Sequence, residues 1–136
     1  MSYSLQPYIS FKGQAREAMT FYQSVFGGRL DIVPFSQFDI LHDPVDGVMH
    51  SALVIDDETF IMGSDAMEAE TETETPAGIA LSLSGSSDEL HELFTKLSDD
   101  ATSVHELATE QWGDEYGELV DKYGVRWMFN SVSEKV

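Results

Sequence analysis

Twice along this chain of 136 residues, a short β-like run leads into one amphipathic helix and then into three further β-like runs. This doubled βαβββ order is the strongest constraint on the fold, because each half has one helix with which to cover one sheet face. In the first half, residues 5–11 are β-like, with Tyr8, Ile9 and Phe11 prominent. Ala15, Ala18, Met19, Tyr22, Val25 and Phe26 then recur at helical spacing, and Gly27-Gly28 stops the run. Residues 30–35 read as a strand and 39–47 as a loop around Asp43-Pro44 and Asp46-Gly47. Residues 48–55 and 59–63 form a hairpin pattern.

The second half repeats the order. Residues 79–84 are β-like, and Ser86-Ser87-Asp88-Glu89 has the form of a capping box. Leu90, Leu93, Phe94 and Leu97 make an i, i+3, i+4, i+7 stripe behind it. Residues 102–107, 116–120 and 125–130 supply three more strands, the last two joined by Asp121-Lys122-Tyr123-Gly124. Laying the halves over each other puts Pro7 on Gly78, Ser24 near Leu97 and Ile32 on Val104, a repeat of pattern and not of residue identity. The expected class is α+β. Two βαβββ modules form one domain, with a curved mixed sheet, helices on its convex side and a cleft on its concave side. The modules are expected at about 1–66 and about 77–136. Between them, residues 68–75 alternate Glu and Thr and cannot bury enough surface to order themselves, so about 67–76 is expected to be an acidic linker.

Composition narrows the function classes. No cysteine is present, which excludes disulfides, thiolate metal sites and a cysteine nucleophile, and suits a reducing cytoplasm. No run is long and apolar enough to span a bilayer, and residues 1–6 lack the basic start of a secretory signal. Seven Lys+Arg against 25 Asp+Glu leave a formal charge of −18, which disfavours nucleic acid and anionic membrane as partners. A cationic partner is permitted, although solubility or a salt-tolerant habitat is the plainer explanation of the acidity. No Gly-x-Ser-x-Gly elbow signals a serine hydrolase, and no Gly-x-Gly-x-x-Gly turn signals a nucleotide phosphate.

Several stretches in order carry a family resemblance. They are Pro7-Tyr8-Ile9-Ser10-Phe11, Ala15-Arg16-Glu17-Ala18, Phe21-Tyr22 and Val25-Phe26-Gly27-Gly28, then Val48-Met49-His50-Ser51-Ala52-Leu53 with Ile61-Met62-Gly63-Ser64-Asp65. The most specific set is Trp112-Gly113-Asp114 with Gly117, Asp121, Gly124 and Arg126-Trp127. Together they resemble PhnB-like proteins of the vicinal oxygen chelate superfamily, which includes glyoxalases, bleomycin-resistance proteins and dioxygenases. The resemblance implies the paired βαβββ fold and a homodimer that completes its clefts across a two-fold axis. Metal-using relatives place four ligands in the cleft, and alignment puts Pro7, Met62, Gly78 and Met128 at those positions. None of these side chains offers an imidazole or carboxylate, so neither a metal nor another cofactor is expected. Some PhnB-like proteins bear the name demethylubiquinone methyltransferase. A methyltransferase usually holds its cofactor on a glycine-rich turn of a doubly wound fold, and this chain has neither.

Strand alternation from Met62 and Met128 puts Phe60, Ser64, Arg126 and Asn130 on the cleft side, with Ile9, Phe11, Ala80 and Ser82 on the other wall. Trp127 and Phe129 then face the helices. The candidate ligand-binding residues are therefore Phe11, His50, Phe60, Met62, Arg126 and Met128, an apolar lining with one guanidinium. Arg126 needs a carboxylate partner, such as Asp121 or Glu118, or a ligand. His42, Asp46 and His50 stand at helical spacing, but Pro44 and Gly47 break any helix there, so they need not share a face. His91 reads as a surface residue, and His105 lies in a strand of undetermined facing. The functional expectation is a cytoplasmic protein binding a small molecule without metal. The alternatives are a lyase, isomerase or dioxygenase with an unconventional metal site, and sequestration of a cationic antibiotic.

Overall fold

The computed structural model describes residues 5–38, 47–65, 79–111 and 113–131, grouped in two compact units, Met1–Thr73 and Glu74–Val136. The first unit runs β1 (Tyr8–Phe11), α1 (Ala15–Phe26), β2 (Arg29–Pro34), a 3-10 turn (Phe35–Phe38), β3 (Val48–Asp56) and β4 (Thr59–Asp65). The second runs β5 (Leu81–Gly85), α2 (Ser87–Leu97), β6 (Ser103–Thr109), β7 (Glu115–Val120) and β8 (Arg126–Ser131). Each unit folds its strands into one four-stranded mixed sheet, ordered β1-β4-β3-β2 and β5-β8-β7-β6. In both, the first strand pairs parallel with the last, and the remaining pairs are antiparallel. The α+β class and the doubled βαβββ order read from the sequence are thus the observed ones.

Helix α1 buries Ala15, Ala18, Met19, Tyr22 and Val25 of the stripe that the spacing predicts, and leaves its last member, Phe26, half-buried. They meet Phe11, Val48, Leu53 and Ile61, which form the core of the first unit. Helix α2 buries Leu90, Phe94 and Leu97, and the Phe94 ring meets Phe129 edge-on at 5.0 Å. Trp127, Leu119 and Val125 complete that core. Ser86 Oγ accepts from the Glu89 N–H, as the capping box requires. At the exit of α1, Gly28 has φ of 93° and lies so close to β3 that a Cβ there would sit 2.4 Å from the Val54 carbonyl oxygen. Only glycine fits that crossing.

Two buried aspartates organise the ends of strands. Asp65, at the end of β4, accepts from the Ala15 and Val48 N–H groups, each at 2.9 Å. It caps α1 from another element, since Gln14 supplies no side-chain cap of its own. In the second unit Ser131 stands at the matching place, where its Oγ accepts from the Glu115 N–H at 2.8 Å. Asp121, fully buried in the β7–β8 turn, accepts from the Tyr123 and Val125 N–H groups and, at 2.8 Å, from Trp127 Nε1.

Element ends differ from the sequence expectation where proline or a turn intervenes. β1 starts at Tyr8 and not at residue 5, because Pro7 has no N–H for a ladder, although its carbonyl oxygen accepts from Met62 N. Phe35, read as the end of a strand, instead buries itself in the 3-10 turn. The expected linker, most of the 39–47 loop, His42, Asp46, Gly78 and Trp112 lie outside the described residues.

Exposed His91 pairs with Glu115 at 2.7 Å, and the same carboxylate accepts from the Ser87 hydroxyl, fastening the first turn of α2 to β7. The Ser87 hydroxyl and then His91 hold the Glu115 carboxyl below its ordinary value of 4.5. A depressed value contributes stability that is full above the ordinary value and is lost as pH falls through the folded one. The expected result is that Glu115→Gln flattens the loss of stability below about pH 5, measured by urea unfolding at a series of pH values. An unchanged acid slope would dismiss the clasp.

Candidate functional site

In each unit one sheet face meets the helix, while the other, here called the open face, turns away from it. On the first unit, Tyr8 pairs with Met62 across β1–β4, and Met62 pairs with Ala52 across β4–β3. Directly paired residues share a face, so these three lie together, joined two residues along each strand by Ser10, Phe60, Ser64, Val54 and His50. Met62, Phe60, Ala52 and His50 are half-buried. Tyr8 is half-exposed at 50 %, and its hydroxyl lies 3.1 Å from His50 Nδ1. The two rings stack with centroids 5.7 Å apart and 30° between their planes. Gln6 Nε2 donates to the Met62 sulfur at 3.7 Å.

On the second unit the open face carries Ser82, Met128 and Glu118 in one paired row, with His105 beyond Glu118 on β6. Ser84, Asn130 and Tyr116 form the next row. Arg126 lies opposite Val120 and is half-buried. The Tyr116 hydroxyl donates to Glu118 at 2.9 Å, and burial followed by that bond raises the phenol above its ordinary value of 10.0. This face is therefore more polar than that of the first unit.

Five of the six residues expected to meet a ligand lie on open faces: His50, Phe60 and Met62 on the first unit, Arg126 and Met128 on the second. Phe11 does not. It is fully buried on the helix side, where it pairs with Asp65 and its ring edge crowds Gly63 beside the Met19 sulfur. The parallel register sets this, since Tyr8 opposite Met62 forces Ile9 and Phe11 onto the other face, so the expected facing of Ile9 is corrected with it. Tyr8 is the residue that sequence reasoning passed over. Ser82, Ser64 and Asn130 face as expected, and Trp127 and Phe129 are core.

Comparison with known proteins adds to this geometry. A family model described as 3-demethylubiquinone-9 3-methyltransferase matches residues 3–129. Protein YjdN of Escherichia coli (strain K12) is 28% identical over 144 residues, covering 96% of this chain and 97% of that protein. The structure of protein PA1353 from Pseudomonas aeruginosa matches with a TM-score of 0.84 at 32% identity, covering 96% of this chain and 98% of that one. The PhnB protein from Bacillus cereus matches with a TM-score of 0.77 at 28% identity, covering 96% of this chain and 100% of that one.

Proposed function

Because this chain belongs to the 3-demethylubiquinone-9 3-methyltransferase family, PhnB-like proteins with the glyoxalase/bleomycin-resistance fold, we propose that it binds a small molecule without a metal ion. The observation that carries this reading is the open face of the first unit. Half-buried Met62, Phe60 and Ala52 lie there beside a hydrogen-bonded tyrosine and histidine. An apolar lining with few, fixed polar groups is the usual form of a small-molecule site.

The metal of the superfamily does not fit the donors available. The Pro7 carbonyl oxygen is engaged by Met62 N, and Met62 and Met128 offer thioethers, which suit soft ions and not the usual divalent ones. Among the described residues no group of three or more His, Asp or Glu stands close enough to hold an ion. The activity in the family's name does not follow from this architecture either. In both sheets the strand that leads into the helix lies at an edge, and the turns Lys12-Gly13-Gln14 and Gly85-Ser86 carry one glycine each. A glycine-rich cradle at the centre of a doubly wound sheet is a different construction.

A homodimer working in the cytoplasm belongs to the same proposal. Edge strand β6 is exposed along its length except at Leu107, a strand edge that proteins usually cover. No helix among the described residues is long and apolar enough to cross a membrane. Native mass spectrometry of cell-purified protein tests these parts at once. The expected species is twice the 15.1 kDa chain mass, free of divalent metal. One zinc, iron, nickel or manganese per chain would overturn the metal-independent reading, and a monomer at every concentration would overturn the dimer.

Arg126 is proposed as the charged contact, since its planar fork suits a carboxylate. Arg126→Met should weaken a carboxylate ligand found by thermal-shift screening about tenfold; unchanged affinity would remove Arg126 from the site. A loss of several kcal/mol without ligand would instead make Arg126 a structural residue. The net charge of −18 suits one second reading, sequestration of a cationic antibiotic, in which Arg126 would oppose binding.

A further inference from the structure

We infer that the Tyr8–His50 pair recognises the carbonyl oxygen of a flat, apolar ligand; this rests on the small-molecule reading above and adds the ligand's class. Tyr8 stands on the edge strand β1 and His50 on β3, so their contact reaches over β4 and its Met62. Among the described residues, Nδ1 of His50 meets Tyr8 and no hydrogen bond is made by Nε2. The proposal places a proton on Nε2, which two of the three protonation states compatible with that contact supply. Where Nδ1 accepts from the Tyr8 hydroxyl, a neutral imidazole must carry its N–H on Nε2. In an imidazolium both nitrogens are protonated, so Nε2 donates again. Only the reversed tautomer, with Nδ1–H donating to the phenol oxygen, would withhold a donor.

Stacking against Tyr8 orients the His50 ring, and Met62, Ala52 and Phe60 supply apolar surface on the same sheet face. Methionine adapts to irregular ring shapes. A molecule combining a ring with a carbonyl satisfies both parts, because the ring covers the apolar surface and the oxygen accepts from Nε2. A bare hydrocarbon would leave that N–H desolvated and unsatisfied, which is costly.

The test uses the full chain and two probes of one shape, 2-acetonaphthone and the oxygen-free 2-ethylnaphthalene. Binding is read from the Met62 methyl resonance, and the tautomer from the imidazole nitrogen shifts of His50. The ketone is expected to bind about fivefold or more tightly than the hydrocarbon, with His50 carrying its proton on Nε2. His50→Phe should abolish the preference by lowering the ketone to the affinity of the hydrocarbon, and Tyr8→Phe should reduce it and change the tautomer mixture. Equal binding of the two probes, or a wild-type Nδ1–H tautomer, overturns the carbonyl assignment and leaves small-molecule binding standing. Failure of both probes to move the Met62 methyl overturns the assignment together with the small-molecule reading of this face.

Discussion

Replacing Asp121 with alanine is expected to destabilise the second unit by about 3–5 kcal/mol. The side chain is fully buried, and it accepts from two backbone N–H groups and the Trp127 indole. Alanine leaves all three donors without this acceptor, away from water, and each orphaned donor has its own desolvation cost. The same carboxylate shapes the tight turn that ends at Gly124, whose N–H donates to the Asp121 carbonyl oxygen. Urea unfolding followed by tryptophan fluorescence measures the loss. Asp121→Asn is the informative companion, since it keeps the shape but turns an amide N–H₂ toward groups that are themselves donors. It should fall between wild type and alanine. A loss under about 1 kcal/mol for alanine would mean that the turn satisfies its donors in another way.

Asp65→Ala should cost the first unit about 2–4 kcal/mol, combining a lost helix cap with a lost strand-end bond. Here the damage has a predicted location. Hydrogen exchange should accelerate at the Ala15 and Val48 amides, the two that donate to the carboxylate. Uniform acceleration across the unit would show a general loss of packing and would count against the capping role. Asp65→Asn, which retains one acceptor oxygen, should protect one of the two amides better than the other.

Helical periodicity made both helices legible, because burial repeats along them at a spacing no strand shares. Ala15, Ala18, Met19, Tyr22 and Val25 on α1, and Leu90, Phe94 and Leu97 on α2, are all buried. Strand facing was legible only where alternation runs unbroken. On β8, Arg126, Met128 and Asn130 alternate in burial with Trp127 and Phe129, and the two faces separate cleanly. On β1 only four residues follow a proline, and their facing is decided by pairing with a strand more than fifty residues away. Nothing local tells Tyr8 from Phe11 as the outward ring. Asp65 and Asp121 were hidden for a related reason, since an aspartate at a strand end or turn usually faces water, and only tertiary contacts bury it.

The parallel pairing of first and last strands also sets the order in which each unit can assemble. A hairpin such as β3–β4 closes over two residues, whereas β1 must wait for β4, and β5 for β8, before gaining any ladder partner. Until that long loop closes, the Ala15 N–H lacks its acceptor, because the carboxylate that receives it is the last residue of β4. Closure of distant segments is slow relative to local contacts, since chain entropy is lost before the contact repays it. On this topology each unit is expected to complete its first strand last, with the start of α1 secured in the same step that closes the first sheet.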